Sequence, residues 1–204
     1  MAYPSVDKPY GLMPINLIGG QVFAGSTRLF PIAVNSSTAI FYGDVVELIN
    51  DGTIGRETGT DVATPVGVFL GCTYTDPTFG KTFRQYYPGT TNITDVQAYV
   101  LDDPDALFKV AVCANSNSAT VTYVNRSAVG NNAVLANGSN NVGSTITGNS
   151  KVGIDDATDT TSTWPVRIID VVPETAIAGY PGSYTEVIVK WNQGMHQYLN
   201  PTGV

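Results

Sequence analysis

Acidic clusters and a single histidine are the residues of this chain whose chemistry could support catalysis or metal binding. Asp102, Asp103 and Asp105 form one cluster, which could hold Ca²⁺ or supply two carboxylates for glycoside hydrolysis. An Asp that precedes Pro also initiates turns, and this cluster lies between two predicted strands. We therefore predict a turn, with a hydrolase built on Asp102 or Asp105 as the alternative.

Other catalytic patterns are missing from the sequence. The acidic residues Asp155, Asp156 and Asp159 lie in a polar tract without EF-hand spacing and predict a solvated loop. His196 is the only histidine, which removes most Ser-His-Asp, Cys-His and histidine-rich zinc arrangements. Nucleophile-elbow, dinucleotide-binding and P-loop patterns do not occur either. We expect a protein that is not an enzyme, with no catalytic residue, no cofactor and no metal.

The two cysteines, Cys72 and Cys113, each lie in an apolar run typical of a β-strand. Neither has a basic neighbour in sequence that would stabilise a thiolate, so we predict buried, unreactive thiols on neighbouring strands. A disulfide between them is the alternative that the sequence leaves open.

Composition predicts a folded protein with a sizeable hydrophobic core. The 204 residues are 43% hydrophobic, with 11 Tyr and 7 Phe, but only 13% are charged. The net charge of -7 and the scattered basic residues argue against a nucleic-acid partner and against an anionic membrane surface. No apolar run approaches the ~18 residues of a membrane span. Without a basic segment leading into an apolar one at the N-terminus, we expect synthesis in a host cytoplasm.

Short runs of β-branched and aromatic residues, separated by Gly, Pro, Asn and Asp, predict an all-β barrel or sandwich. The turn at Asn50-Asp51-Gly52 is typical of a hairpin. Residues 127–136 are the best helical candidate. The predicted strands cover residues 28–34, 39–49, 53–56, 66–74, 82–87, 96–101, 107–113, 166–172 and 186–191.

This pattern divides the chain into five segments. We predict an extended N-terminal arm over 1–27, a β-barrel or sandwich core over 28–113, and strands over 164–191 that complete the core. The Asn/Ser/Thr/Gly-rich tract 114–163 predicts an outward-facing β subdomain or loops, with disorder as the alternative, and 192–204 predicts a C-terminal arm. Apolar residues of the arms need a surface to cover them. The predicted partner-binding residues are Tyr3, Tyr10, Leu12, Met13, Ile15, Leu17, Ile18, Trp191, His196 and Tyr198.

Five short motifs, in this order, resemble a family of small virion proteins of tailed bacteriophages, the capsid decoration or cement proteins. The resemblance covers roughly residues 10–113 and is looser over 167–172 and 187–192. The motifs are Tyr10-Gly11-Leu12 with Pro14; Arg28-Leu29-Phe30-Pro31-Ile32; Gly43-Asp44-Val45-Val46; Val66-Gly67-Val68 with Gly71; and Tyr99-Val100-Leu101-Asp102-Asp103-Pro104 running to Phe108.

This resemblance implies a structural protein on the outer surface of a phage capsid that cements neighbouring major capsid subunits. It also implies a homo-oligomer, with a trimer favoured and a dimer possible. Apolar arms that clamp across subunit boundaries are consistent with such a role. The alternative function is a glycan-binding surface module, similar to a fibre or adhesin, that uses the polar tract 114–163.

Overall fold

Two six-stranded β-sheets contain the strands that the structure describes. In the computed structural model, the described residues are 5–90, 93–114, 117, 119–138, 142–176 and 183–203. They include a 3-10 turn at Arg126–Ala128 but no α-helix, which confirms the all-β prediction. In chain order the strands are β1 (Met13–Leu17), β2 (Arg28–Pro31), β3 (Val45–Leu48), β4 (Ile54–Arg56), β5 (Gly67–Asp76), β6 (Gly80–Arg84), β7 (Gln97–Leu101), β8 (Ala106–Cys113), β9 (Asn132–Ala136), β10 (Gly153–Asp159), β11 (Val166–Val171) and β12 (Glu186–Trp191).

The first sheet closes on itself. Its order is β1-β8-β10-β9-β11-β12, and an additional pairing between β8 and β12 joins five of the strands into a ring. The β8–β10 pair is parallel, whereas β1 adds to β8 in antiparallel orientation. Alternate residues of β8, namely Phe108, Val110 and Val112, belong to a buried apolar cluster that the other four ring strands share. We call this unit the closed barrel.

The second sheet has the order β2-β7-β5-β3-β4, with β6 also paired to β5. A single parallel bridge between Ile32 and Ile54 links its two end strands, so we call this unit the curled sheet. It has its own apolar cluster, which includes Phe69, Tyr87 and Val100. Each unit therefore has a core of its own.

Strands β3 and β5 contribute to both cores. Val45 and Val68 pack in the cluster of the closed barrel, whereas their neighbours Val46 and Phe69 pack in the cluster of the curled sheet. Successive side chains of a strand point to opposite faces, so both faces of these strands are buried. This explains why 45–46 and 66–71 are apolar runs without alternation.

The N-terminal segment is part of the fold and does not extend from it as an arm. Leu12 is fully buried, its amide donates to the Gly43 carbonyl, and the amide of Gly11 donates to the Val152 carbonyl. Gly11 and Gly43 both have positive φ, and a Cβ on Gly11 would lie 2.6 Å from the Gly43 oxygen. Only glycine permits this approach.

Strand pairing also revises the predicted segments. β8 lies within the predicted core 28–113, yet it pairs with strands of the closed barrel. The tract 114–163 supplies β9 and β10, and Leu135 and Ile154 of these strands are fully buried in the barrel. The prediction of an outward-facing subdomain is therefore wrong, because both of these strands belong to the ring.

The predicted helix over 127–136 is wrong as well. Asn125 accepts from the Ser127 amide and caps only the short turn Arg126–Ala128. Gly130 then has a φ of 92°, which ends the turn, and residues 132–136 pair with β10. The ladder with a neighbouring strand outweighs the weak helical pattern.

Candidate functional site

The carboxylates of the Asp102–Asp105 cluster are held by basic, hydroxyl or backbone amide groups of the same chain. The Asp105 amide donates to Asp103 Oδ1, as in an Asx turn, so the predicted turn is confirmed. Asp102 Oδ2 lies 3.0 Å from the Arg28 Nε, and Asp105 Oδ1 lies 3.0 Å from the Lys190 Nζ. In the described part of the chain, no group of three or more His, Cys, Asp or Glu residues is arranged to hold a metal ion.

Asp155, Asp156 and Asp159 do not lie in a solvated loop, because all three belong to β10. Asp155 is buried and its Oδ1 accepts from the Ala157 amide at 2.8 Å. Asp156 is half-buried and its Oδ2 accepts from the Thr122 hydroxyl at 2.9 Å. The loop prediction assumed that these carboxylates need solvent. It was wrong because hydrogen bonds from the chain itself allow Asp155 and Asp156 to be buried or half-buried in a strand.

Both cysteines are buried and free. Cys72 lies in β5 of the curled sheet and Cys113 in β8 of the closed barrel, so the prediction of neighbouring strands is wrong. Burial raises the pKa of each thiol to about 12. Thiols of this kind are largely protonated at neutral pH and are poor nucleophiles.

The C-terminal segment, residues 192–203, connects the end of the closed barrel to the curled sheet. The Gln197 amide donates to the Pro65 carbonyl, and the Gln197 side chain accepts from the Leu48 amide at 2.7 Å. The Tyr198 hydroxyl donates to Asp102 Oδ2 at 3.0 Å. The prediction of a C-terminal arm that reaches a partner is wrong for the buried part of this segment, since its polar groups bind the chain itself.

His196 is the buried anchor of the C-terminal segment. It is fully buried, and its ring packs between the rings of Trp191 and Tyr198 at centroid distances of 6.3 and 5.2 Å. The Tyr198 amide donates to His196 Nδ1 at 3.3 Å, which places the proton of the neutral ring on Nε2. Nε2 is buried and forms no hydrogen bond of ordinary geometry with any residue that the structure describes.

We expect the free energy of unfolding to fall as the pH falls below about 6.5, the ordinary pKa of histidine. Burial lowers the pKa of His196 in the folded protein, and the charges of Asp102 and Asp103 only partly oppose this. The unfolded chain therefore takes up a proton at a pH where the folded chain does not. Urea unfolding at about pH 7.5 and about pH 5.5 measures this difference.

The matched variant for this pH dependence is His196→Gln, which keeps a polar side chain but does not titrate. The burial of Asp44 and Glu47 raises the pKa of their carboxyl groups, which acts in the opposite direction as the pH falls and is the same in both proteins. The wild-type protein should therefore lose more stability on acidification than the variant. Equal losses would contradict the assignment to His196.

The predicted partner-binding residues fall into three groups. Leu12, Trp191 and His196 are buried inside the chain, so their assignment to a partner interface is wrong. Tyr10, Ile15 and Leu17 are half-buried, whereas Met13, Ile18 and Tyr198 are exposed, and Tyr3 lies outside the described residues.

Tyr10 shows how the N-terminal segment is held. Its hydroxyl donates to Glu186 Oε1, and the Lys109 Nζ lies 3.0 Å from the same carboxylate. The Lys109 ammonium also lies over the Tyr10 ring, 5.8 Å from its centroid. Tyr10 thus contacts Lys109 of β8 and donates a hydrogen bond to Glu186 of β12. Its hydroxyl is therefore not free to bind a partner.

Three exposed apolar side chains and one half-buried tyrosine instead form a surface on the curled sheet, which we call the aromatic patch: Leu29, Phe79, Phe83 and Tyr99. Leu29 and Tyr99 are directly paired across β2 and β7. The rings of Phe83 and Tyr99 meet edge to face at 5.8 Å, and Phe79 lies in the hairpin turn before β6. Phe79 and Phe83 are 78% and 61% exposed, which is unusual for phenylalanine.

Gly71 positions the Phe83 ring. It lies at the bulge where the β5–β7 register shifts, with a φ of 130°. A Cβ at Gly71 would lie 2.8 Å from Phe83 Cζ, so the ring lies over the bare backbone of β5. The bulge and the missing side chain therefore hold the ring flat on the sheet while one side of it faces solvent.

A loop of the closed barrel lies beside this patch. Tyr42 forms a parallel bridge with Asn149, and the Gln85 side chain donates to Asn149 Oδ1 at 2.6 Å. Ile146, in the turn of the same loop, is 95% exposed. Since Gln85 is two residues beyond Phe83, the loop places a further exposed apolar side chain on the Gln85 side of the aromatic patch.

The sequence analysis missed the aromatic patch. A signal for it exists in β6, where Phe83 alternates with the polar residues Thr82 and Arg84 and therefore shares a face with Lys81. A face that carries an exposed lysine is a solvent face, so Phe83 belongs to that face and not to the core.

No helix in the described part of the chain is long and apolar enough to cross a membrane. Comparisons with known proteins found no matching family model, no matching curated protein and no matching solved structure.

Proposed function

We propose that this protein is a structural virion protein that binds the outside of a phage head and cements neighbouring major capsid subunits through the aromatic patch. The observation that carries the proposal is the exposure of Phe79 and Phe83, of which Phe83 is held against the sheet by its contacts with Gly71 and Tyr99. Contiguous exposed apolar side chains of this kind are typical of protein interfaces. The order of the five sequence motifs supports a head as the partner.

The surroundings of the aromatic patch are suited to an interface. Lys81 and Gln97 share the outer face of the sheet with Phe83 and Tyr99, because they lie two residues away on the same strands. They provide polar groups around an apolar centre. An apolar centre with a polar rim is the usual organisation of a specific protein interface.

Rigidity would contribute to the affinity. The Phe83 ring is held by Gly71 and Tyr99 before any partner arrives, so less side-chain entropy is lost on binding. A ligand that binds only the assembled lattice stabilises it by its binding free energy at every occupied site. Many copies with individually modest affinity would therefore strengthen a head considerably. A trimer at positions of three-fold symmetry is part of this proposal.

The test is the binding of purified protein to heads that were assembled without it, measured by co-sedimentation. We expect Phe83→Ser to weaken binding about 30-fold, the effect of a central interface residue. Val62→Ser is the matched control, because Val62 is 65% exposed but lies outside the aromatic patch. Thermal unfolding of both variants checks that the fold is intact.

Two outcomes would contradict the proposal. One is wild-type protein that does not co-sediment with heads at all. The other is a Phe79→Ser/Phe83→Ser variant that occupies heads as fully as Val62→Ser does. Binding that weakens only in the aromatic variants supports the assignment of this surface.

A further inference from the structure

A concave surface lies on the closed barrel, away from the strands that carry the aromatic patch. It is a recess of about 240 Å³, and the exposed residue Tyr123 is part of its lining. The polar side chains of its lining are Asn125, Ser127, Asp156 and Thr158. The recess lies in the tract that the sequence analysis singled out for its Asn, Ser and Thr content.

Hydrogen bonds within the chain fix the polar groups around this recess. Asn125 Oδ1 accepts from the Ser127 amide and hydroxyl, Asp156 Oδ2 accepts from the Thr122 hydroxyl at 2.9 Å, and the Asn131 amide group donates to Thr158 Oγ1 at 3.4 Å. Each of these side chains uses one of its hydrogen-bonding positions in these bonds and has another position left. Among the described residues, no hydrogen-bond partner is found for Asp156 Oδ1, for the Asn125 amide hydrogens or for the Thr158 hydroxyl hydrogen.

The remaining groups define the chemistry of a ligand. They combine an acceptor at Asp156 with donors at Asn125 and Thr158, next to the aromatic residue Tyr123. A sugar has hydroxyl groups that both donate and accept, and an apolar ring face that can pack on tyrosine. The volume is below the ~300 Å³ at which pockets for drug-sized ligands begin, so it suits a single ring.

We propose that this recess binds one neutral hexose unit of a glycan, with Tyr123 as the packing surface and Asp156 and Asn125 as the hydrogen-bonding groups. Such a site would give the protein a second binding activity, separate from attachment to a head. The proposal does not depend on the aromatic patch, because the two surfaces share no residue and lie on different units of the fold.

The experiment is an NMR titration of the full-length, amide-labelled protein with glucose, galactose, mannose and N-acetylglucosamine. We expect at least one of these sugars to cause saturable shifts at the amides of residues 122–128 and 156–158. Sorbitol is the control ligand, since it has the hydroxyl groups of a hexose without the ring. Sorbitol should cause no saturable shift.

Two variants test the residues. Tyr123→Ala should abolish saturation, and Asp156→Asn should weaken binding about 10-fold, the effect of losing a hydrogen bond to a charged group. Phe79→Ala is the matched control: it removes an exposed aromatic ring elsewhere, so it should weaken binding to heads and leave sugar binding unchanged. Tyr123→Ala should lose sugar binding and keep binding to heads. The two variants together therefore separate a failure of this proposal from a failure of the proposed function.

The proposal would be overturned if none of the four sugars gave saturable shifts at these amides. It would also be overturned if sorbitol bound as well as the hexoses, or if Tyr123→Ala bound them as the wild-type protein does. An unchanged amide spectrum outside the recess shows that the Tyr123→Ala variant is folded.

Discussion

Replacing Asp44 by alanine is expected to lower the free energy of unfolding by about 3–5 kcal/mol. Asp44 is fully buried, and its Oδ2 lies 3.4 Å from the Arg56 Nε and accepts from the Phe41 amide at 2.8 Å. The Arg56 side chain is only 7% exposed. Without Asp44, the buried Arg56 guanidinium loses the attraction of this carboxylate, and this is the main cause of the expected loss.

Urea unfolding followed by tryptophan fluorescence measures this effect. Arg126→Ala is the control, because it breaks an ion pair with Asp170 at a similar distance of 2.9 Å, but with side chains that are 76% and 46% exposed. An exposed pair of this kind contributes at most about 1 kcal/mol. A loss from Asp44→Ala no larger than that from Arg126→Ala would contradict the interpretation.

The double variant Asp44→Ala/Arg56→Met separates the ion pair from the burial of its charges. Burial raises the pKa of Asp44 against the opposing effect of Arg56, which indicates a strong desolvation penalty for the carboxylate. An apolar replacement of both partners removes that penalty, so the double variant should recover part of the stability lost in Asp44→Ala. If the two substitutions were simply additive, the residues would not act as a pair.

Most strands could be predicted from the sequence because local signals set their ends. The turn at 50–52 and the Asp102–Asp105 cluster both lie where the structure has turns. The topology could not be predicted in the same way. β8 follows β7 directly in the chain, yet it pairs with β12, more than seventy residues later, and only the complete set of strands decides that pairing.

The candidate site was harder to predict than the fold. Leu12 and Trp191 were assigned to a partner because they lie near the chain ends, but a core needs large side chains wherever the topology places a strand in it. Conversely, Phe83 was not assigned because an aromatic residue in a strand is usually buried. Its exposure depends on Gly71, whose bulge lies on a different strand.

Replacing Trp191 by alanine is expected to lower the free energy of unfolding by about 3–5 kcal/mol, the usual cost of deleting a buried tryptophan. Trp191 is 2% exposed at the end of β12, and its ring lies 5.2 Å from that of Phe108. On its other side it packs against His196. The substitution therefore leaves a cavity between the closed barrel and the C-terminal segment.

The location of that cavity predicts which part of the protein loses protection. Hydrogen exchange should accelerate at the Gln197 amide, which is bonded to Pro65, more than at the amides of the β5–β7 pair. Trp191→Phe should cost less, about 0.5–3 kcal/mol, because it keeps a ring and removes the buried Trp191 Nε1, which lacks a partner among the described residues. Equal losses in both variants, or acceleration spread evenly over both sheets, would show that Trp191 does not anchor the C-terminal segment.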